Sequence, residues 1–414
     1  MNSRQRVRII LEHKIPDRVP IDLGSSNCTS ISTIAYNRLR NKLNINSGLA
    51  KMYDFNMQLA YPEKEVLDLL HVDIIDGGQN FLKSPNNWRE WKLNDGSKCL
   101  IPKYLNVDID KNETVLLKDK DGSILGIKPK SSLYVDQSYW VWKNLPNIPD
   151  SICEKDLQKH NWAVPIPPYH LDIFDEKQFQ LFIQNIKKLY EETEYSISLT
   201  LWCGIIEVGY FLRGFDNFLC DVYLEPKRVF RLLEILTESY MKLIERTIDG
   251  VGKYVDILGF GDDFSGEDRM FFPPEVIKNM FIPYYKKMWN YIHEKSSCKV
   301  FFHSCGALRY AIPLLIDAGM DILNPVQTSA AGMDPEILKK EFGKYLIFWG
   351  GGVDTRKVLP SKTPEEVRND VKKRIEIFSK NGGFVFNPIH NILADVPPEN
   401  IVACYEAAYN YGLY

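Results

Sequence analysis

Phe301-Phe302-His303-Ser304-Cys305-Gly306 closes an apolar run that begins at Cys298 and reads as a buried strand. Side chains two apart on a strand share a face, so Phe301, His303 and Cys305 point the same way. Imidazole and thiolate are preferred zinc ligands, at about 2.0 and 2.3 Å. A second strand-like run, Gly383 to Asn387, leads into Pro388-Ile389-His390. Far apart in sequence, the two sites meet only if the strands share one end of a barrel.

The rest of the chain supplies the other strands. Short apolar runs lie near positions 19, 73, 198, 257, 300, 322, 347 and 385. Nearly all are followed by a helical pattern, the signature of a parallel sheet covered by helices. Eight such units favour an α/β fold of the (β/α)8 TIM barrel type over a doubly wound sheet. A helix from Ser3 to His13 carries Val7, Ile10 and Leu11 on one face and is stopped by Pro16. A longer one, Pro226 to Asp249, has an apolar face and Gly250 just past its end. Thr363, Pro364 and Glu366 form a capping box with proline at the first helical position.

Residues 81–142 have a different character. Asn94-Asp95-Gly96 and Asp119-Lys120-Asp121-Gly122 are hairpin signals between short β-rich runs. We read one barrel over 1–414, carrying an antiparallel β insertion at 81–142. The proline-rich segment from Asn144 to Pro168 connects back to the barrel. The insertion is a candidate for controlling access or for homo-oligomer contacts.

Composition narrows the function. The 414 residues are 45% apolar, and 51 basic against 54 acidic side chains give a net charge of −3. No basic face of the kind nucleic acid requires is present in the pattern. The eight cysteines are scattered and form no disulfide framework. They read as reduced thiols of a cytoplasmic protein, with Cys28, Cys99, Cys153 and Cys404 taken as packing or surface residues. The amino terminus opens a polar helix, not a signal segment, and no apolar run approaches the roughly 20 residues of a membrane span.

Barrel enzymes work at the carboxyl ends of their strands. That rule nominates Trp202, Asp262, Asp263, His303, Cys305, Asn324, Gln327, Asp354 and His390. Asp262 and Asp263 are candidate proton donors; consecutive side chains on an extended segment diverge, so one of the two faces the site. Acidic residues at this place also cap helices. Trp202, Asn324, Gln327 and Asp354 are candidates for substrate contact, though each also has an ordinary packing, capping or loop-bonding role open to it. Cys203 and Glu207 are spare candidates for metal ligation. Gly350-Gly351-Gly352 lacks the lysine and hydroxyl residue of a phosphate loop.

With those strand ends in place, the chain resembles the uroporphyrinogen decarboxylase superfamily. The resemblance rests on Asp17-Arg-Val-Pro20, Phe302-His-Ser-Cys-Gly306, Asp321-Ile-Leu-Asn-Pro-Val-Gln327, Asn387-Pro-Ile-His-Asn391 and Ala394-Asp-Val-Pro-Pro-Glu399. It covers most of the chain and is strongest from Gly204 onward. Within the superfamily the chain looks more like the methyltransferase branch. That implies zinc held by a His-x-Cys pair plus a residue after the last strand, and a corrinoid delivered by a small partner protein. His303 and Cys305 match the pair, and His390 stands where thiol-methylating members carry cysteine. This departure points to the demethylating relatives, which take methyl from small methoxylated or methylated-amine donors. The decarboxylases carry an arginine-rich element after the first strand, where this chain reads Asp22-Leu-Gly-Ser-Ser-Asn-Cys-Thr29. A tetrapyrrole decarboxylase or a noncatalytic ligand-binding barrel are the alternative readings.

Overall fold

The computed structural model describes residues 1–78, 85–163 and 173–414. Seven parallel strands lie side by side in chain order: β1 (Ile74–Asp76), β2 (Ser196–Trp202), β3 (Ile257–Gly261), β4 (Lys299–His303), β5 (Ile322–Asn324), β6 (Ile347–Trp349) and β7 (Phe384–Val385). The eighth position is filled by residues 20–22. Ile21 bridges Phe386 and Asp22 bridges Ile74, both in parallel, so this segment joins the two sheet edges into a ring. All eight expected strand positions are therefore occupied, and the TIM-barrel expectation holds.

Alternation along the strands divides the core in two. Ile74, Ile257, Phe301, Ile322, Ile347, Trp349 and Val385 fill the barrel, while Phe302, Leu258 and Leu323 pack outward against the helices. The helix Ser3–Leu11 closes the amino-terminal end, and its Val7, Ile10 and Leu11 join the interior cluster. It ends two residues earlier than the sequence pattern indicates, because the chain already turns through a left-handed backbone at His13.

Three strands are entered through the same short phrase: Val72-Asp73-Ile74-Ile75, Val255-Asp256-Ile257-Leu258 and Met320-Asp321-Ile322-Leu323. Each aspartate fastens neighbouring chain at the amino-terminal end. Asp73 accepts from Ile21 N at 2.9 Å, Asp256 from Ser196 Oγ at 2.8 Å, and Asp321 from Val300 N at 2.8 Å.

The long helix runs Pro226–Val251, so Gly250 lies inside it and not beyond it. A Cβ there would come within 2.7 Å of the Phe179 ring, so the glycine is explained by close helix packing and not by a helix end. The capping box at Thr363 and Glu366 forms as expected.

The insertion contains a hairpin, Trp88–Lys92 with Lys98–Pro102, and a four-stranded antiparallel sheet from Asn106 to Gln137. Its turns fall at Asn94–Gly96 and Asp119–Gly122. Cys99, Ile101, Leu105, Val115 and Leu117 share a core with Ile34, Met52 and Phe55, so the insertion packs on the segment that follows residues 20–22. Phe81 and Pro168, where the sequence reading starts the insertion and ends the connection, lie outside the described residues. Among the described residues, no helix is long and apolar enough to cross a membrane.

Candidate metal centre and active site

Strand register sets the site. Gly261 on β3, His303 on β4 and Asn324 on β5 are paired neighbours, so their side chains share one level at the carboxyl-terminal end. The Asn324 amide donates to the Trp349 carbonyl at 3.0 Å. That leaves its Oδ1 facing His303 Nδ1 at 2.7 Å. The histidine thus carries its proton on Nδ1 and turns an unprotonated Nε2 into the barrel mouth. Burial lowers its pKa and keeps the ring neutral. A second residue fixing the tautomer of a ligating histidine is a recurrent feature of metal sites.

Two thiols approach that nitrogen. Cys305 Sγ and Cys28 Sγ each lie 3.5 Å from His303 Nε2. The donor atoms fall into two triads that share His303: Cys28, His303 and His390 on one side, Asp263, His303 and Cys305 on the other. Burial and the neighbouring carboxylates push both thiols well above the ordinary cysteine range. A bound divalent cation reverses that preference and deprotonates a coordinating thiol.

Asp262 and Asp263 do diverge. Asp262 is fully buried, and its carboxylate accepts from the backbone of Ile205, Ile206 and Glu207 at 2.6–2.8 Å and from the Tyr285 hydroxyl. Its acceptor sites are spent on holding the loop after β2 and on Tyr285. Asp263 faces the mouth, where its Oδ1 accepts from Cys305 N at 2.7 Å. Glu207, beside them, is pushed well above the carboxylate range by burial and by the charges of Asp263 and Asp262.

Trp202 stands edge-on to His303 with ring centroids 6.0 Å apart. Trp202 and Cys203 both take left-handed backbone, φ 63° and 37°, an uncommon choice for non-glycine residues that often marks functional strand ends. Cys203 itself turns into the helix-side core and is not part of the histidine–thiol cluster. The His390 ring centroid lies 5.3 Å from that of His303. Its Nδ1 accepts from Asn391 N at 2.8 Å, so the neutral ring carries its proton on Nε2.

A cavity of about 240 Å³ opens beside this cluster, lined by Cys305, Gln327, Asp354, Arg356 and His390 among others. Gln327 spends its Oε1 on Gly306 N at 2.8 Å, and Asp354 accepts from Arg356 N and Lys357 N. Both line the cavity while holding its loops. Asn324 is absent from its lining, and its two polar side-chain atoms are committed to His303 and Trp349, so it orients the histidine. Cys28 is the residue the sequence reading passed over. It lies in a polar loop with no periodic signal, and only the closed ring places that loop beside His303.

The fold is a closed parallel barrel with a histidine–thiol cluster at its carboxyl-terminal mouth. The chain belongs to the uroporphyrinogen decarboxylase family: residues 167–411, more than half of it, match the family described as Uroporphyrinogen decarboxylase (URO-D). The uroporphyrinogen decarboxylase of Psychromonas ingrahamii is 24% identical over 261 residues, which are 60% of this chain and 66% of that protein. The matched region thus spans just under two thirds of that relative's length. A methyltransferase from Methanosarcina mazei has a similar structure, with a TM-score of 0.59 and 13% identity over 99% of both chains. That similarity is one of fold.

Proposed function

We propose that this protein is a zinc-dependent methyltransferase that moves methyl between a small methoxylated or methylated-amine compound and a corrinoid carried by a partner protein. The observation that carries the reading is the His303 Nε2 lone pair, flanked by the buried Cys28 thiol and the half-buried Cys305 thiol with a carboxylate beside them. Nitrogen, sulfur and oxygen donors in that arrangement fit zinc. Bound there, zinc would supply Lewis acidity toward the heteroatom that bears the methyl group.

The chain's own residues have separate tasks. Asn324 fixes the tautomer and direction of His303. Asp263 holds the Cys305 backbone and offers a carboxylate oxygen. Glu207, whose carboxyl holds its proton more tightly than usual through burial and the charges of Asp263 and Asp262, would give a proton to a departing heteroatom. Trp202 and Ile389 supply apolar wall. The cavity suits a compact substrate, and of its lining residues Arg356 is a cation already paired with Glu267. A substrate with many carboxylates needs free arginines, so the decarboxylase reading is the less favoured one.

The test supplies reduced cobalamin as methyl acceptor, with methanol, methylamines and aryl methyl ethers as donors, and follows methylcobalamin by absorbance. Zinc-loaded protein should form it with at least one donor class, and His303→Ala should not. Turnover of uroporphyrinogen without methyl transfer would reverse the assignment.

A further inference from the structure

We infer that Cys28 is a metal ligand, supplying a second thiolate from the loop after residues 20–22 while His390 acts as a hydrogen-bond donor. The inference rests on the metal-dependent reading above and changes its ligand set.

Hydrogen bonding alone does not explain the cluster. An unprotonated Nε2 has one lone pair and accepts one hydrogen. Two thiols, Cys28 buried and Cys305 half-buried, sit 3.5 Å from it, so one of them is left without that bond. A shared cation satisfies both. Bonds of about 2.0 and 2.3 Å at a tetrahedral angle separate nitrogen from sulfur by about 3.5 Å, the spacing seen for each thiol. The cation would draw Cys28 together with Asp263 and Cys305 around His303, the residue both triads share.

The loop is built to hold Cys28 in place. Cys28 lies in the short turn Asn27–Thr29. Gly24 N donates to Thr29 O at 2.9 Å, and Ser25 is tied to the Asp22 carboxylate through both its N–H and its hydroxyl. The Asn387 amide donates to Thr29 O at 3.2 Å, and Ser30 N donates to Asn391 Oδ1 at 3.0 Å. These bonds bind the turn to the last barrel strand and its following loop, on which His390 sits. His390 spends its Nδ1 lone pair on Asn391 N. To ligate through Nε2 it must shift its proton to Nδ1 and give up that bond, whereas Cys28 already points its sulfur at His303 Nε2 and needs only to lose its thiol proton to the cation.

The experiment loads the full chain with zinc or with cobalt(II), as wild type, Cys28→Ser, Cys305→Ser and His390→Gln. Each serine variant should lower the thiolate-to-cobalt charge-transfer band by about half and loosen zinc about 100-fold or more. His390→Gln should keep the full band. X-ray absorption of the wild-type zinc protein should count two sulfur neighbours, a readout that does not depend on any variant folding. A full band in Cys28→Ser, or one sulfur neighbour, overturns the assignment and leaves the metal-dependent reading standing. Wild-type protein that takes up neither metal overturns both.

Discussion

The two ends of this barrel treat buried acid groups in opposite ways. At the amino-terminal end Asp73 is fully buried and is met by two arginines: Arg6 at 2.8 Å and Arg18 at 2.7 Å. Arg6 also grips Asp17, holding that carboxyl below the usual range. At the carboxyl-terminal end Asp263 and Glu207 stand beside two thiols and a histidine, with Asp262 buried behind them in the loop after β2. Among the described residues, no lysine or arginine pairs with any of the three. One end is balanced by the chain itself. The other is left short of positive charge, which a bound cation would supply. Barrel enzymes commonly separate stability from chemistry along this axis, and here the separation is visible in where the cations sit.

The largest effect should come from breaking the balanced end. Arg18→Met leaves Asp73 with half of its compensation and leaves the Val19 and His71 carbonyls without the donors Arg18 provides. Removing one partner of a buried pair costs about 3–5 kcal/mol. Urea unfolding of the metal-free protein should show a loss of that size, whereas Asp263→Asn at the other end should change stability by about 1 kcal/mol or less. Equal losses at both ends would erase the distinction.

The next effect is in pH. Asp22 ends the segment that closes the ring and is fully buried, and burial outweighs its bonds from Ser25 and Trp349 to raise its pKa to about 6. A carboxyl raised in the folded state binds its proton more tightly there than in the unfolded chain. Its ionisation therefore costs stability as pH rises from about 4 to about 6, by up to roughly 3 kcal/mol. Asp17 works the other way: its contribution is present above the unfolded pKa and is lost as pH falls. Denaturant titrations at pH 4, 5 and 6 should show the fall with rising pH shrink in Asp22→Asn, whatever that variant's absolute stability. An unchanged slope would mean that Asp22 ionises freely in the folded protein.

What the sequence disclosed follows the same division. The barrel was legible because apolar runs of strand length recur with helical patterns between them, and because His303 and Cys305 stand two apart at a strand end. The ends of elements were less legible. Gly250 reads as a helix stop until Phe179 is seen against it, and His13 turns the chain before Pro16 does. Roles within the site depended on partners. Asp262 and Asp263 are indistinguishable as neighbours in sequence, and differ because one is surrounded by the N–H groups of Ile205, Ile206 and Glu207. Cys28 had no signal of its own. Its loop is polar and aperiodic, and its place is fixed by the Ile21–Phe386 bridge, a contact across most of the chain.

The smallest effect tests whether the histidine's orientation matters apart from the ligands themselves. Asn324 touches His303 and Trp349 and does not line the cavity. Asn324→Ala leaves every proposed donor atom in place but removes the acceptor for the Nδ1 proton. The ring is then free to carry its proton on Nε2, which withdraws the lone pair from the site. Loss of such a supporting bond lowers metal affinity about 10–100-fold, or about 1.4–2.7 kcal/mol. Competition with a chromophoric chelator should read that loss while thiolate-to-cobalt absorption at saturating cobalt stays near the wild-type intensity, because both sulfurs remain. Asn324→Asp keeps an acceptor toward Nδ1 but loses the donor to the Trp349 carbonyl, and should recover most of the affinity. If Asn324→Ala binds zinc as tightly as wild type, the histidine is held by its packing alone, and the unprotonated Nε2 at the centre of the site needs another cause.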